Sequence, residues 1–288
     1  KDYLKQKICS YNPSYIGLST LFNAQIPITN KILKWIKKDF PEVKTIVGGN
    51  AATYYFDNLD MEKVDHLVKG GGEKGCLDIL RGNTKEKIIR GENISSKEVP
   101  PVNWDLMDFS KEVNEYQFYV SLSRGCFGRC GFCNTNDFWK KQEFRNPEIV
   151  KKEISDLYNK GVRNLMIGDD TLNFGKMSSS GGDYLLEGFN GMDFLAESRA
   201  DVILKTRDEE IKRAKENGLE TLFIGAESGS NKVLGLMNKG ISSEDILSSA
   251  RKIKESGMNV YTFWIFGYPG STKKDDKETL NLIEKMYE

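Results

Sequence analysis

The sequence predicts an α/β protein built from two parallel-sheet units, the second of them a barrel or part-barrel. Three observations predict it. Short β-prone runs alternate with amphipathic helical stretches from Tyr15 to Leu80, the pattern lapses into polar, proline-bearing sequence around residues 91–110, and a longer strand–helix alternation follows. At 288 residues, 39% of them apolar and 11% aromatic, the chain is long enough for one large domain or two ordinary ones.

Each element has its own signal. Tyr15 to Leu21 is a β-prone run, and Thr29 is placed to cap a helix carrying Ile32, Leu33, Ile36 and Phe40 on one face. Thr45 to Val47 is a second strand that stops at Gly48-Gly49. A third, Asp65 to Lys69, leads into the Gly70-Gly71-Gly72 turn and a short helix from Glu73 to Leu80. This βαβ rhythm resembles part of a doubly wound parallel sheet. Val99-Pro100-Pro101-Val102-Asn103-Trp104 centres the lapse, so the expected division is residues 1–92, a linker over 93–114, and a second domain over 115–288. Strands are expected there near 117–123, 163–168, 193–199, 220–226 and 258–266. Asn146-Pro147 caps a helix with Val150, Ile154, Leu157 and Tyr158 on one face and Gly161 as its stop. Ser242 to Asp245 is a capping box ahead of Ile246, Leu247, Ala250 and Ile253, and Gly257 ends that helix. Five strand–helix units at these spacings favour a barrel or part-barrel over an open sheet. No internal repeat or low-complexity tract interrupts them.

Composition excludes several classes of function. Lys plus Arg and Asp plus Glu are 42 each, so no basic footprint points to nucleic acid. Runs such as Lys273 to Glu278 read as solvated helix starts. No run approaches the roughly 20 apolar residues of a membrane helix, and Lys1 to Ile8 lacks a signal-peptide pattern, so the expected location is cytoplasmic. Five cysteines are too few and too clustered for a disulfide scaffold.

Three of those cysteines form the sharpest feature. Ser123-Arg-Gly-Cys126-Phe-Gly-Arg-Cys130-Gly-Phe-Cys133 puts three thiolates on one glycine-rich loop directly after a strand. Thiolates are the usual ligands of iron–sulfur clusters, and three can hold a cubane while its fourth iron stays open to a substrate. Gly125, Gly128 and Gly131 let the backbone wrap closely around sulfur. A zinc site is the alternative reading, but zinc normally takes a fourth protein ligand. The only histidine, His66, lies in the other unit, and Cys9 and Cys76 are remote.

This loop resembles the signature of the radical S-adenosylmethionine (SAM) superfamily, including the aromatic Phe132 before the last cysteine. Four later segments are similar to the family's strand ends, in the expected order: Ile167-Gly168-Asp169-Asp170, Ser198-Arg199-Ala200-Asp201, Phe223 to Ser230 and Phe263 to Gly270. The resemblance implies a partial (β/α)6 radical SAM barrel whose Cys126, Cys130 and Cys133 hold a [4Fe–4S] cluster, with S-adenosylmethionine at the open iron. It further implies that Asp169 and Asp170 occupy the region that binds the SAM amino group. Arg199 and Glu227 meet its carboxylate and ribose, and Phe132, Phe266 and Gly267 line the adenine. Glu227 and Asp170 also have an ordinary reading as helix caps.

The N-terminal unit resembles the second half of a cobalamin-binding Rossmann-like domain. Ser19-Thr20-Leu21 matches the family's S-x-L element and Gly48-Gly49 its later double glycine, so Ser19, Leu21, Gly48 and Gly49 are expected beside a cobalamin nucleotide tail. A generic βαβ unit also has a glycine turn and a serine; the order of this unit, the Gly71-Gly72-Glu73 turn, the linker and the barrel is that of the cobalamin-binding subgroup. The family's D-x-H-x-x-G element has no match in residues 1–18, and the family barrel has six strands against five units here, so the sequence reads as a piece of a longer protein. His66 is not expected as a cobalt ligand.

The implied chemistry is one-electron cleavage of S-adenosylmethionine to methionine and a 5′-deoxyadenosyl radical, which abstracts hydrogen. Methyl transfer to an unactivated carbon or phosphorus follows, with ring rearrangement and cyclisation as known exceptions. Implied partners are a small-molecule or peptide substrate and an electron donor such as flavodoxin or ferredoxin, with neither membrane nor nucleic acid. Two rivals differ in class. A methylthiotransferase-like enzyme shares the Glu227 and Tyr268-Pro269-Gly270 regions but predicts a second cluster, for which only Cys9 and Cys76 lie upstream. A non-catalytic iron–sulfur or zinc module would not need the polar strand-end series.

Overall fold

The computed structural model describes residues 2–107, 109, 118–174 and 191–287, and separates into two compact units, Lys1–Ile94 and Ser95–Glu288. Residues 108 and 110–117, expected as the end of the linker and the start of the barrel, lie outside the described residues.

The first unit runs α1 (Asp2–Tyr11), β1 (Tyr15–Ser19), α2 (Ile26–Asp39), β2 (Lys44–Gly48), α3 (Asn50–Tyr54), β3 (His66–Gly70), α4 (Gly72–Leu80) and β4 (Ile88–Gly91), with the strands parallel in the order β1-β2-β3-β4. Strand alternation explains why helices cover both faces. Val47 and Leu67 point to one core with Ile26, Leu33 and Ala51, while their neighbours Ile46 and Val68 point to the other with Ile79. Thr29 does not cap α2 as expected. The helix begins three residues earlier with Pro27 in its first turn, and the Thr29 hydroxyl bonds back to Gln25 O at 3.0 Å and lies 3.0 Å from Thr20 Oγ1.

The second unit carries β5 (Phe118–Val120), β6 (Ser123–Arg124), α5 (Thr135–Trp139), β7 (Glu143–Phe144), α6 (Pro147–Asn159), β8 (Asn164–Ile167), β9 (Asp193–Ser198), α7 (Ala200–Lys205), α8 (Asp208–Glu216), β10 (Leu219–Glu227), α9 (Asn231–Leu236), α10 (Ser243–Glu255), β11 (Asn259–Trp264) and α11 (Lys273–Tyr287). Its main sheet is parallel in the order β11-β10-β9-β8-β5, the arc of a part-barrel in which each strand pairs with the next in sequence. One alternation of each strand faces the helices: Phe118 and Val120, Leu165 and Ile167, Phe194 and Ala196, Leu222 and Ile224 are all in the core with Val150, Leu157, Ile211 and Ile253. Burying each large apolar side chain stabilises the arc by about 1.5–3 kcal/mol. The other alternation, from Tyr119 and Met166 to Glu197, Phe223, Tyr261 and Phe263, lines the inner face.

The proline-bearing segment belongs to this second unit from Ser95 onward. A buried ion pair explains the attachment. Arg145 Nη2 and Nη1 meet Glu153 Oε1 and Oε2 at 2.6 and 2.9 Å; the same two nitrogens also donate to Pro100 O and Ser121 O, and Glu153 Oε1 accepts from Val102 N–H. Glu143 Oε2 accepts from Ser96 N at 2.6 Å, which draws its pKa down.

Candidate active site

The cysteine loop leaves β6 and returns through α5 to β7, which pairs antiparallel with β6. Gly125 opens it at φ +83°, where a Cβ would lie 2.4 Å from Lys141 O, so only glycine fits. Asp170 holds both ends of the loop: its Oδ2 accepts from Gly125 N at 3.1 Å and its Oδ1 from Thr135 Oγ1 at 3.0 Å. The middle docks on the turn after α9, where Met237 O accepts from Gly131 N and Asn238 Nδ2 donates to Arg129 O, each at 2.8 Å.

All three thiols are free, Cys126 and Cys130 half-buried and Cys133 exposed. Hydrogen-bonding groups surround two of the sulfurs. Gly128 N–H points at Cys126 Sγ at 3.3 Å with Thr171 Oγ1 at 3.1 Å, and Arg199 Nη1 donates to Cys130 Sγ at 3.5 Å. A Cβ on Gly128 would sit 2.6 Å from that same Nη1, so the glycine lets the guanidinium reach the sulfurs.

The other expected residues separate into two groups. Asp169 is buried, and both its oxygens are taken inside the protein, by Leu122 N at 2.6 Å and by Ser123 Oγ; burial pushes its carboxyl up to about 7. Arg199 is likewise engaged at every nitrogen, by Asp201 at 2.9 Å, Lys239 O at 2.7 Å and Cys130. With these bonds the two residues hold the cysteine loop and its neighbours in place. Asp170 follows β8, Glu227 ends β10, and Phe266 and Gly267 follow β11, all at C-terminal strand ends, while Phe132 lies on the cysteine loop. Glu227 sits at φ +65° on a register shift in β10, and its buried carboxylate pairs with Lys239 Nζ at 2.8 Å. Lys239 in turn lies 5.7 Å from the Phe132 ring centroid.

Lys239, Thr171 and Glu197 went unnoticed in the sequence. Lys239 follows a helix in an Asn-Lys-Gly turn that reads as surface. Glu197 had a signal, being an acidic residue at the inner-face position directly after the apolar run Phe194-Leu195-Ala196. Its carboxyl is pushed up by burial and by Asp170 and Glu227.

In the first unit, Ser19 and Gly48 are ladder partners at the strand ends, beside exposed Leu21 and Phe22. Gly49 is required by the fold itself, since at φ +100° its Cβ would meet Thr20 O at 2.6 Å. Gly48 and Gly17 are different. A Cβ on Gly48 would find only Val68 O, at 3.5 Å, and one on Gly17 nothing within 4 Å, so internal packing does not explain either glycine. Their missing side chains leave room for a ligand tail, and Gly48 at the end of β2, with Gly17 two residues before the end of β1, fits a nucleotide laid against the strands. His66 is not at this edge; it is buried, with Nδ1 2.7 Å from Glu86 O.

The donor set of the second unit also fits a cluster. Among the described residues no three His, Cys, Asp or Glu side chains converge as ligands of a single ion. In a cubane each of three thiolates takes its own iron, and the three free thiols of one loop supply that set. Nor is any described helix long and apolar enough to cross a membrane.

Residues 120–283, more than half of the chain, match the family described as the Radical SAM superfamily, and the chain belongs to that superfamily. It is 28% identical over 308 residues to an uncharacterized methyltransferase of Pyrococcus horikoshii, covering 97% of this chain and 66% of that protein. It is 29% identical over 272 residues to a putative methylthiotransferase of Methanocaldococcus jannaschii, covering 87% and 59%. The chain thus spans less than two thirds of the length of these relatives. Among solved structures it is similar to the cobalamin-dependent S-adenosylmethionine radical enzyme OxsB with aqua-cobalamin and S-adenosylmethionine bound, at TM-score 0.80 and 19% identity over 98% of this chain and 45% of that one. It is also similar to the radical S-adenosylmethionine methyltransferase TsrM from Kitasatospora setae with cobalamin and a [4Fe–4S] cluster bound, at TM-score 0.75 and 16% identity over 99% and 65%. These likenesses establish the fold, a Rossmann-like unit followed by part of a radical SAM barrel.

Proposed function

We propose that this chain is the core of a cobalamin-dependent radical SAM enzyme that transfers a methyl group to an unactivated carbon or phosphorus of a small molecule or peptide. One observation carries the reading: three free thiols on one loop, with an amide, a hydroxyl and a guanidinium gathered at their sulfurs. Cys126, Cys130 and Cys133 would hold the cluster, and Ser19, Leu21, Gly48 and Gly49 the cobalamin. When bound, the cluster supplies the electron that cleaves S-adenosylmethionine to a 5′-deoxyadenosyl radical, and the cobalamin carries the methyl group.

The chain's own residues bind and orient. Arg199 and Gly128 N–H place positive charge against the sulfurs, which favours the reduced state of whatever they ligate. Asp170 and the Glu227–Lys239 pair offer a carboxylate and an ammonium to a zwitterionic amino acid and a ribose, with Phe132, Phe266 and Gly267 beside them for the adenine. A flavodoxin or ferredoxin in the cytoplasm would deliver the electron.

Methylthio transfer is the second reading, favoured by the similarity to the putative methylthiotransferase. It asks for a second cluster, and burial pushes the Cys76 thiol up, away from the thiolate that iron needs.

The test is anaerobic reconstitution of the full-length protein with iron, sulfide and cobalamin, then dithionite and S-adenosylmethionine bearing a deuterated methyl group. The expected result is 5′-deoxyadenosine together with transfer of the label to cobalamin. Intact cluster and bound cobalamin with neither product would overturn the proposal. For the first unit, Gly48→Val is expected to leave the circular dichroism unchanged and to abolish cobalamin retention; retention at the wild-type level removes the assignment.

A further inference from the structure

The inner face of the part-barrel carries rings where a filled barrel carries branched aliphatic side chains. Phe223 on β10 is the ladder partner of Tyr261 on β11, their centroids 5.4 Å apart at 25°, and it stacks on Phe263 at 5.8 Å and 12°. Tyr261 is 60% and Phe263 48% exposed, so the three near-parallel rings form an open shelf. The shelf is continuous with the proposed SAM seat: alternation puts Gly225 on the same face of β10 as Phe223, and a Cβ on Gly225 would meet Glu227 Oε1 and, at 2.8 Å, Lys239 Nζ. On the opposite side of Phe223, β9 brings Glu197 as its ladder partner.

We propose that Phe223, Tyr261 and Phe263 are the substrate platform and that the substrate class is a molecule with a planar aromatic ring. The inference rests on the radical SAM reading of the neighbouring strand ends: a radical generated there reacts only with a body lying against this face. Ring chemistry selects among apolar bodies. Parallel, half-exposed rings present faces and edges to a further ring in offset or edge-on geometry, and such pairs gain about 0.5–1.5 kcal/mol beyond area burial, which an aliphatic body of equal size does not draw on.

Phenol and cyclohexanol, matched in size and hydroxyl, separate these cases. Their dissociation constants would be measured by saturation-transfer NMR on the full-length protein with its cluster oxidised and S-adenosylmethionine saturating. Phenol is expected to bind roughly fivefold more tightly than cyclohexanol. Phe263→Leu and Tyr261→Leu, which keep apolar area and remove the ring, should each bring the ratio close to one while cluster absorbance and circular dichroism stay as in the wild type. Equal binding of the two probes, a ratio that survives both substitutions, or no binding of either because another part of the protein covers the shelf, would each overturn the platform. Displacement of phenol by S-adenosylmethionine would overturn it too, by making the shelf the adenine seat. Failure of the radical reading shows separately, as absent 5′-deoxyadenosine, without altering the phenol ratio.

Discussion

Both units present the C-terminal ends of parallel strands, and they equip those ends in opposite ways. At β1 and β2 the chain places Ser19, Gly48 and Gly49 beside Leu21 and Phe22, with no charged side chain among them. At β8, β9 and β10 it places Asp170, Glu197, Arg199 and Glu227, and answers them with Lys239 and the cysteine loop. An edge built from glycine and exposed apolar groups can accept a large ligand by shape. An edge built from charged groups, with Arg199, Glu227 and Lys239 buried, suits a small zwitterion and a cluster by electrostatics, and must solve the desolvation of its own groups first. Asp169 and Arg199 show that solution: each closes its hydrogen bonds inside the protein and thereby fixes what lies beside it.

The contrast can be broken by substitutions confined to one unit. The largest effect is expected from Cys130→Ala, which should abolish iron binding and 5′-deoxyadenosine formation while cobalamin retention persists; a variant that keeps a full complement of iron and sulfide would remove the loop from the account. Lys239→Met strands the Glu227 carboxylate without its ammonium and should destabilise the second unit by about 3 kcal/mol, measured by denaturant unfolding of that unit. A loss below about 0.5 kcal/mol would mean that the pair is solvated and not a buried anchor.

Next in size is a pH effect. Asp169 ionises near pH 7 when folded and near 4 when unfolded, so the folded state holds more protons between those values. Stability should therefore fall as pH rises from 5 to 8, by up to about 2.5 kcal/mol, and level off above. Glu197, also shifted upward, adds to the same trend. Asp169→Asn should flatten the profile, and an unchanged slope would assign it to other groups. The smallest effect is expected in the first unit. Gly49→Ala forces a Cβ against Thr20 O at φ +100° and should cost about 1–2 kcal/mol there, with no change in the melting of the second unit.

Much of this architecture was legible in the sequence because it is written in local patterns. The Asn146-Pro147 cap, the Ser242–Asp245 box and the strand expected near 193–199 all depend on neighbours a few residues away. The cysteine loop was legible for the same reason. What escaped depends on distance: Lys239 reaches Glu227 across a helix and a turn, and the Arg145–Glu153 pair gathers Ser121 and, from the proline-bearing segment, Pro100 and Val102. Asp169 and Arg199 were found as residues but their internal partners were not, because motif position says that a group is near a site and not which way its hydrogen bonds run.

Electron paramagnetic resonance of the dithionite-reduced, full-length protein, with and without S-adenosylmethionine, tests the central claim most directly. If the loop holds a cubane with one open iron, the sample alone gives a reduced [4Fe–4S] signal, S-adenosylmethionine shifts its g-values, and Cys126→Ala, Cys130→Ala and Cys133→Ala each remove it. A signal indifferent to S-adenosylmethionine, or one zinc per chain with no iron, would contradict the account.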